Sequence, residues 1–183
     1  MRTMLLLVHG LPATGKTTLA QWLSRELGWP AIHKDAIKEI LFDTLGAKDR
    51  AWSRNLGIGA IEILYHVIDM QLSVGISCIA ECPFKPTLAS PRLRASLTRA
   101  DASCVQLLCR SSGAVRLERF QGRRRHPGHA DDEVTDAAAD AWCNETLDPL
   151  DLPGPLIEVD TTDRMQVDYK AILSQILAYR SIA

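Results

Sequence analysis

The sequence predicts an α/β domain built on a parallel sheet. Apolar periodicity switches repeatedly between strand-like and helix-like along the chain. The first segment, Met4 to His9, is a continuous apolar run, the pattern of a strand buried on both faces. The length is 183 residues, that of one ordinary domain able to bury a core without disulfides or a structural metal. A single domain spanning 1–183 is therefore expected.

The elements follow in order. After the first strand, Lys16 to Leu27 carries Leu19, Leu23 and Leu27 at i, i+4 and i+8, with Gly28 free to take positive φ at the helix end. Ala31 to His33 reads as a short strand and Asp35 to Leu45 as a helix. A long helical pattern covers about Ala51 to Val74, in which Leu56, Ile63, Leu64, Val67 and Ile68 mark a core face. Ile76 to Ala80 is the third strand and Ala102 to Cys109 the fourth. Ser111 to Arg125 reads as helix, "HPGHADDE" breaks into a loop at Pro127 and Gly128, and a further helix is expected from about Glu133 to Thr146. "DPLDLPGP" is a connector, Leu156 to Asp160 the fifth strand, and about Asp163 to Tyr179 the last helix. Strands alternating with helices imply right-handed parallel crossovers.

Composition narrows the function. Formal net charge is −1, with 46% hydrophobic and 23% charged residues, so no global field gathers nucleic acid or anionic lipid. Five cysteines (Cys78, Cys82, Cys104, Cys109, Cys143) form no CxxC pair and read as reduced, structural thiols. The N-terminal apolar stretch is too short for a membrane span and lacks a small-residue cleavage site, so a cytoplasmic protein without a membrane partner is expected.

The chemistry begins at "HGLPATGKTT". Gly10, Gly15, Lys16 and Thr17 match GxxxxGK[ST], between a buried strand and a helix. That arrangement aims backbone N–H groups and a helix N-terminus at a polyphosphate. Gly10, Leu11, Pro12, Ala13, Thr14, Gly15, Lys16, Thr17 and Thr18 are thus expected to bind nucleotide. Lys16 reaches the β and γ phosphates, and Thr17 offers an oxygen to magnesium. There is no NKxD element for guanine and no LSGGQ signature, and 183 residues leave little room for a motor's helical lid. Small-molecule and nucleotide kinases remain, with ATP the expected donor.

Ligands in open α/β folds bind beyond the carboxyl ends of the strands, where two acids stand. Asp35 in "IHKDAIKE" is the candidate general base for an acceptor hydroxyl, a helix cap being the alternative. Glu81 in "ISCIAECPF" is expected to hold a magnesium-bound water or orient the acceptor. Lys38, one turn beyond Asp35, suits an anionic part of the acceptor, while Lys34 reads as solvated surface. The "RLERFQGRRRHPGH" segment puts Arg116, Arg119 and Arg123 at i, i+3 and i+7 and ends in a Pro-Gly loop. It reads as a lid, about 116–132, with Arg119 and Arg123 the candidates for stabilising transferred charge. His126 and His129 read as loop structure. Trp52, Arg54, Asn55, Tyr65 and His66 are the possible acceptor contacts on the long helix, Arg54 being chosen among them.

"GLPATGKTTLA", "KDAIKE", "AECPF", "RLERFQGRRRHPGH" and "EVDTTD" together resemble the small bacterial P-loop kinases of the AAA_33 type, related to chloramphenicol phosphotransferase, zeta toxin and polynucleotide kinase 5′-kinase domains. The resemblance covers nearly the whole chain. It implies a three-layer P-loop sandwich with strand order 2-3-1-4-5, ATP and magnesium, Asp35 as base, lid arginines, and adenine contacts from Asp160 to Thr162, Thr161 among them. A position that is arginine in polynucleotide kinases is Lys38 here, and only 5% of residues are aromatic. Both favour a small-molecule hydroxyl acceptor over a nucleic acid. The alternatives are a 5′-hydroxyl nucleic-acid kinase, a toxin kinase acting on a cell-wall sugar nucleotide, and a nucleotide-dependent switch ATPase. The acceptor's identity and the oligomeric state are left open.

Overall fold

The computed structural model describes residues 2–123, 126–129 and 145–182. Five parallel strands, β1 (Met4–Gly10), β2 (Ala31–His33), β3 (Cys78–Glu81), β4 (Ser103–Arg110) and β5 (Leu156–Asp160), form one sheet in the order β2-β3-β1-β4-β5. The helices are α1 (Lys16–Leu27), α2 (Lys34–Leu45), α3 (Arg50–Ser73), α4 (Pro86–Arg99), α5 (Gly113–Gly122) and α6 (Tyr169–Ile182). This is the doubly wound sheet that the resemblance implies.

β1 explains why the sheet has two covered faces. All seven of its residues are buried, and its side chains alternate between two cores. Leu5 and Leu7 pack with Leu64, Ile68 and Leu72 of α3 and with Leu93 and Leu97 of α4. Met4, Leu6 and Val8 pack with Leu19 and Leu23 of α1 and with Ile172 and Ile176 of α6. Each fully buried leucine or isoleucine contributes roughly 1.5–3 kcal/mol, so β1 anchors both layers. It lies between β3 and β4, at the point where strand order reverses, and ligands enter the crevice beyond that point.

The described free cysteines, Cys78, Cys82, Cys104 and Cys109, are buried in these cores. Burial pushes the thiols of Cys78, Cys82 and Cys109 up to about 12, which keeps them protonated and inert. Cys143 lies outside the described residues.

The fold differs from the sequence reading in three places. A helix, α4, fills the interval between the third and fourth strands, where no element was expected. Pro86 at its start is compatible with a helix because the first turn's N–H groups have no intrahelical partner, but Pro91 inside it hides the pattern. The fifth helix ends at Gly122, earlier than Arg125. The last helix starts at Tyr169 rather than Asp163, because the Asp163 carboxylate accepts from Met165 N and closes a separate 3-10 turn, Arg164–Gln166. The helix expected over Glu133 to Thr146 lies almost entirely outside the described residues, as do Arg124, Arg125 and the end of the proposed lid.

Candidate active site

The phosphate loop is shaped by its glycines. Gly10 has φ 149°, and a Cβ there would stand 2.3 Å from the Cys109 carbonyl oxygen. Gly15 precedes α1 at φ 76° with no side-chain cap, so the first-turn N–H groups of α1 are left for a ligand. Ala13 takes φ 64°, a left-handed conformation unusual for a residue with a Cβ. The Leu11 carbonyl gathers the loop, accepting from Thr14 Oγ1 (2.8 Å) and Lys16 Nζ (2.8 Å). Thr161, expected near adenine, braces the loop from behind. Its hydroxyl bonds the Thr14 and Arg110 carbonyls, both at 2.9 Å, and its side chain borders only a small hollow beside Gly15 and Thr18.

A cavity of about 420 Å³ opens in front of this loop. Pro12, Ala13, Gly15, Lys16, Thr17 and Thr18 line it, whereas Gly10, Leu11 and Thr14 shape the loop without lining it. Asp35, Lys38, Glu81, Arg119 and Arg123 come to the same cavity from α2, β3 and α5. Arg54 does not line it; it is exposed, and Arg50, one turn earlier on α3, takes that place. Trp52 donates from Nε1 to the Gly46 carbonyl (2.9 Å), Tyr65 belongs to the core, and His66 borders a separate groove between α3 and α4.

Glu81 is the hinge of the polar network. It is buried at the end of β3, and its Oε2 accepts from Thr17 Oγ1 at 3.1 Å and meets His33 Nδ1 at 3.1 Å. A hydroxyl and a carboxylate side by side next to a phosphate loop suit a hard divalent cation that completes its shell with phosphate and water oxygens. No group of three or more His, Cys, Asp or Glu side chains able to hold a metal occurs among the described residues. Lys16 is buried at the start of α1. Desolvation lowers its ammonium pKa, opposed first by Glu81 and also by Asp35, so both carboxylates act on the lysine of the loop.

Asp35 occupies the first turn of α2, while His33 is the N-cap residue and makes no side-chain cap bond. The capping alternative is therefore not the role seen. The Asp35 carboxylate is about half exposed and accepts from Lys34 Nζ at 3.1 Å. Lys34 is not solvated surface, since its side chain is largely covered and borders the cavity.

The three arginines of α5 divide. Arg116 is buried and donates to the Glu145 carbonyl at 3.3 Å, beside a second cavity behind the phosphate loop. Arg119 donates to the Thr161 (2.7 Å) and Thr162 (3.1 Å) carbonyls, and Arg123 lies over the Phe120 ring at 4.4 Å. Only the latter two line the main cavity, joined by Arg164 from the loop after β5. Beyond Arg123, the turn Pro127–His129 docks on α2. Phe42 stacks on His126 with ring centroids 5.3 Å apart and meets His129 edge-on, while His126 and His129 pair with Asp43 and Glu39, each at 3.0 Å.

Sequence reasoning missed His33, Lys34, Arg50, His129 and Arg164 as members of the site. For Arg50 and Arg164 no local signal exists, because α3 and the 3-10 turn after β5 are brought in only by the tertiary fold. His33 had one: it ends β2 in parallel register with Glu81.

This geometry is that of a P-loop kinase fold: an anion-binding loop, an acid cluster at the sheet edge and converging arginines. The AAA_33 family profile, described as an AAA domain, matches residues 5–145, and the chain belongs to that family. Its fold is shared with the crystal structure of "a putative kinase" from Chloroflexus aurantiacus J-10-fl, 41% identical over 98% of this chain and 99% of that one, with a TM-score of 0.93. A sugar kinase from Janibacter sp. HTCC2649 (19% identity, 100% and 96% coverage, TM-score 0.60) and a gluconokinase from Sinorhizobium meliloti 1021 (18%, 98% and 97%, TM-score 0.50) share the fold at greater distance. No curated protein matches the chain.

Proposed function

We propose that the protein transfers the γ-phosphoryl group of ATP to a hydroxyl of a small molecule. The observation that carries this is Asp35, an accessible carboxylate on the wall of the cavity that the phosphate loop opens into. A hydrolytic switch has no need of a second half-pocket, whereas this cavity extends past Asp35 to Lys38 and Arg50.

In the reaction the acceptor oxygen attacks the γ phosphorus, its proton passes to the Asp35 carboxylate, and the bond between the γ phosphorus and the β,γ-bridging oxygen breaks, releasing ADP. Lys16 and the α1 N-terminus hold the phosphates, and Arg119 and Arg123 neutralise charge on the group in flight. Thr17 and Glu81 would hold magnesium, which supplies charge neutralisation and polarises phosphate oxygens. His33 fixes the Glu81 carboxylate. Thr161 and Arg119, joined through a backbone carbonyl, shape the nucleotide side.

The test is transfer from γ-labelled ATP and magnesium to sugars, sugar acids, nucleosides, antibiotics and 5′-hydroxyl oligonucleotides, with wild type beside Asp35→Asn. A labelled product that falls about 10²- to 10⁴-fold in rate in the variant supports the base role. Full activity in Asp35→Asn removes it.

A further inference from the structure

Asp35 is only as well placed as the helix that carries it, and α2 has few anchors in the core. Its N-terminus lacks a side-chain cap. Phe42 is its one buried apolar side chain, 2% exposed, yet it belongs to neither core of the sheet. Ile37 packs only partly against the core on the α3 side, and Lys38 meets α3 through a hydrogen bond to Ser53 Oγ at 2.8 Å.

The turn Pro127–His129, with His126 before it, is what covers Phe42. The His126 ring lies parallel to Phe42, His129 stands edge-on, and the backbone at Gly128 passes so close that a Cβ would touch the ring. Both ring arrangements are favourable beyond the area they bury. The rim of the contact is polar: Glu39 and Asp43, on either side of Phe42, each meet a histidine Nε2 at 3.0 Å. Gly128 N donates to His126 Nδ1 at 3.1 Å, so the ring's hydrogen sits on Nε2, the nitrogen that donates to Asp43. Both nitrogens of that ring are committed, which fixes its orientation. Asp35, Glu39, Phe42 and Asp43 fall at i, i+4, i+7 and i+8 along one side of α2. The grip thus closes on the side of the helix that carries the carboxylate, and it comes from the chain that follows α5, the helix of Arg119 and Arg123.

We propose that this clasp sets the base: Phe42, His126 and His129 are positioning residues that hold α2 so that the Asp35 carboxylate meets the acceptor hydroxyl opposite the γ phosphate. This rests on the phosphotransfer reading above and adds to it the residues that place its base. Phe42 and His126 do not line the cavity, so their effect passes through the helix. A displacement of about 1 Å at a reacting group costs on the order of 10²-fold in rate.

The experiment compares wild type, Phe42→Ala and His126→Ala, each also combined with Asp35→Asn. Hydrogen exchange followed by mass spectrometry reads the helix: amides of α2 exchange about 10-fold faster or more in both clasp variants, while those of β1 and α1 keep their protection. Label transfer from ATP to the acceptor panel reads the chemistry: kcat falls about 10- to 100-fold in each, and a fluorescent ATP analogue with magnesium binds as it does to wild type. In the Asp35→Asn background the same replacements cost less than about threefold, because a base that is absent cannot be misplaced. Full multiplicative losses in that background, unchanged exchange in α2, or faster exchange throughout the domain in both clasp variants would each overturn the proposal. A wild type that passes label to no acceptor, with α2 exchange responding as stated, would overturn the phosphotransfer reading, and the base role with it, while the grip on α2 stands.

Discussion

Asp35 and Lys38 lie three residues apart on successive turns of α2, and this spacing is what the sequence makes legible at the residue scale: an acid after the second strand and a cation one turn on. Lys34 and Arg50 were not legible, because they reach the cavity only through the packing of α2 against α3. His9 shows how context alters a residue's chemistry. It is fully buried at the end of β1, with no partner for either ring nitrogen among the described residues. Burial, with help from Lys16 and Arg110, lowers its pKa from 6.5 to about 4. The unfolded chain therefore binds a proton that the native state refuses. Stability from this group is fully present above pH 6.5 and is lost as pH falls toward 4. Between pH 7 and pH 5 the loss is about 2 kcal/mol. Urea titrations at the two pH values measure it, and His9→Leu should remove most of that difference; an unchanged difference in the variant would assign it to other groups.

At the scale of elements, the phosphate loop and the Pro127–His129 turn each hang on a close approach. Gly10→Ala would drive a Cβ into the Cys109 carbonyl, so the variant is expected to lose nucleotide binding outright, read by a fluorescent ATP analogue. Gly128 touches Phe42 so closely that a Cβ would lie 2.5 Å from the ring. Gly128→Ala should lift the His126–His129 turn off α2, accelerating proteolytic cleavage near it while the core's melting temperature stays within a few degrees. Strands and the first three helices were legible because each has an unbroken apolar period. The α4 helix was not, because its two prolines read as punctuation and its buried face carries Ser90 and Ser96 among the apolar residues. The histidines were read as loop structure, and they do tie a loop down, although His129 also borders the cavity.

For the whole molecule, the parallel sheet places every proposed working group at one edge: the loop after β1, α2 after β2, Glu81 ending β3, α5 after β4 and Arg164 after β5. The order of strands came from resemblance rather than from apolar period, which carries no information on which strand neighbours which. A ligand that binds only the assembled edge stabilises the whole domain. A non-hydrolysable ATP analogue with magnesium at about 100 times its Kd should add about 2.7 kcal/mol, raising the melting temperature by roughly 5–10 °C. Lys16→Met should lose most of that rise. Among the described residues no helix is long and apolar enough to cross a membrane.

The measurement that bears most directly on phosphotransfer is a ³¹P NMR time course of ATP, magnesium and the acceptor panel with the wild-type protein. The account predicts that ADP and a new phosphate ester appear in equal amounts, with little inorganic phosphate, and that Asp35→Asn slows both together. Inorganic phosphate equal to the ADP formed, with no ester in any mixture and no effect of Asp35→Asn, would contradict it.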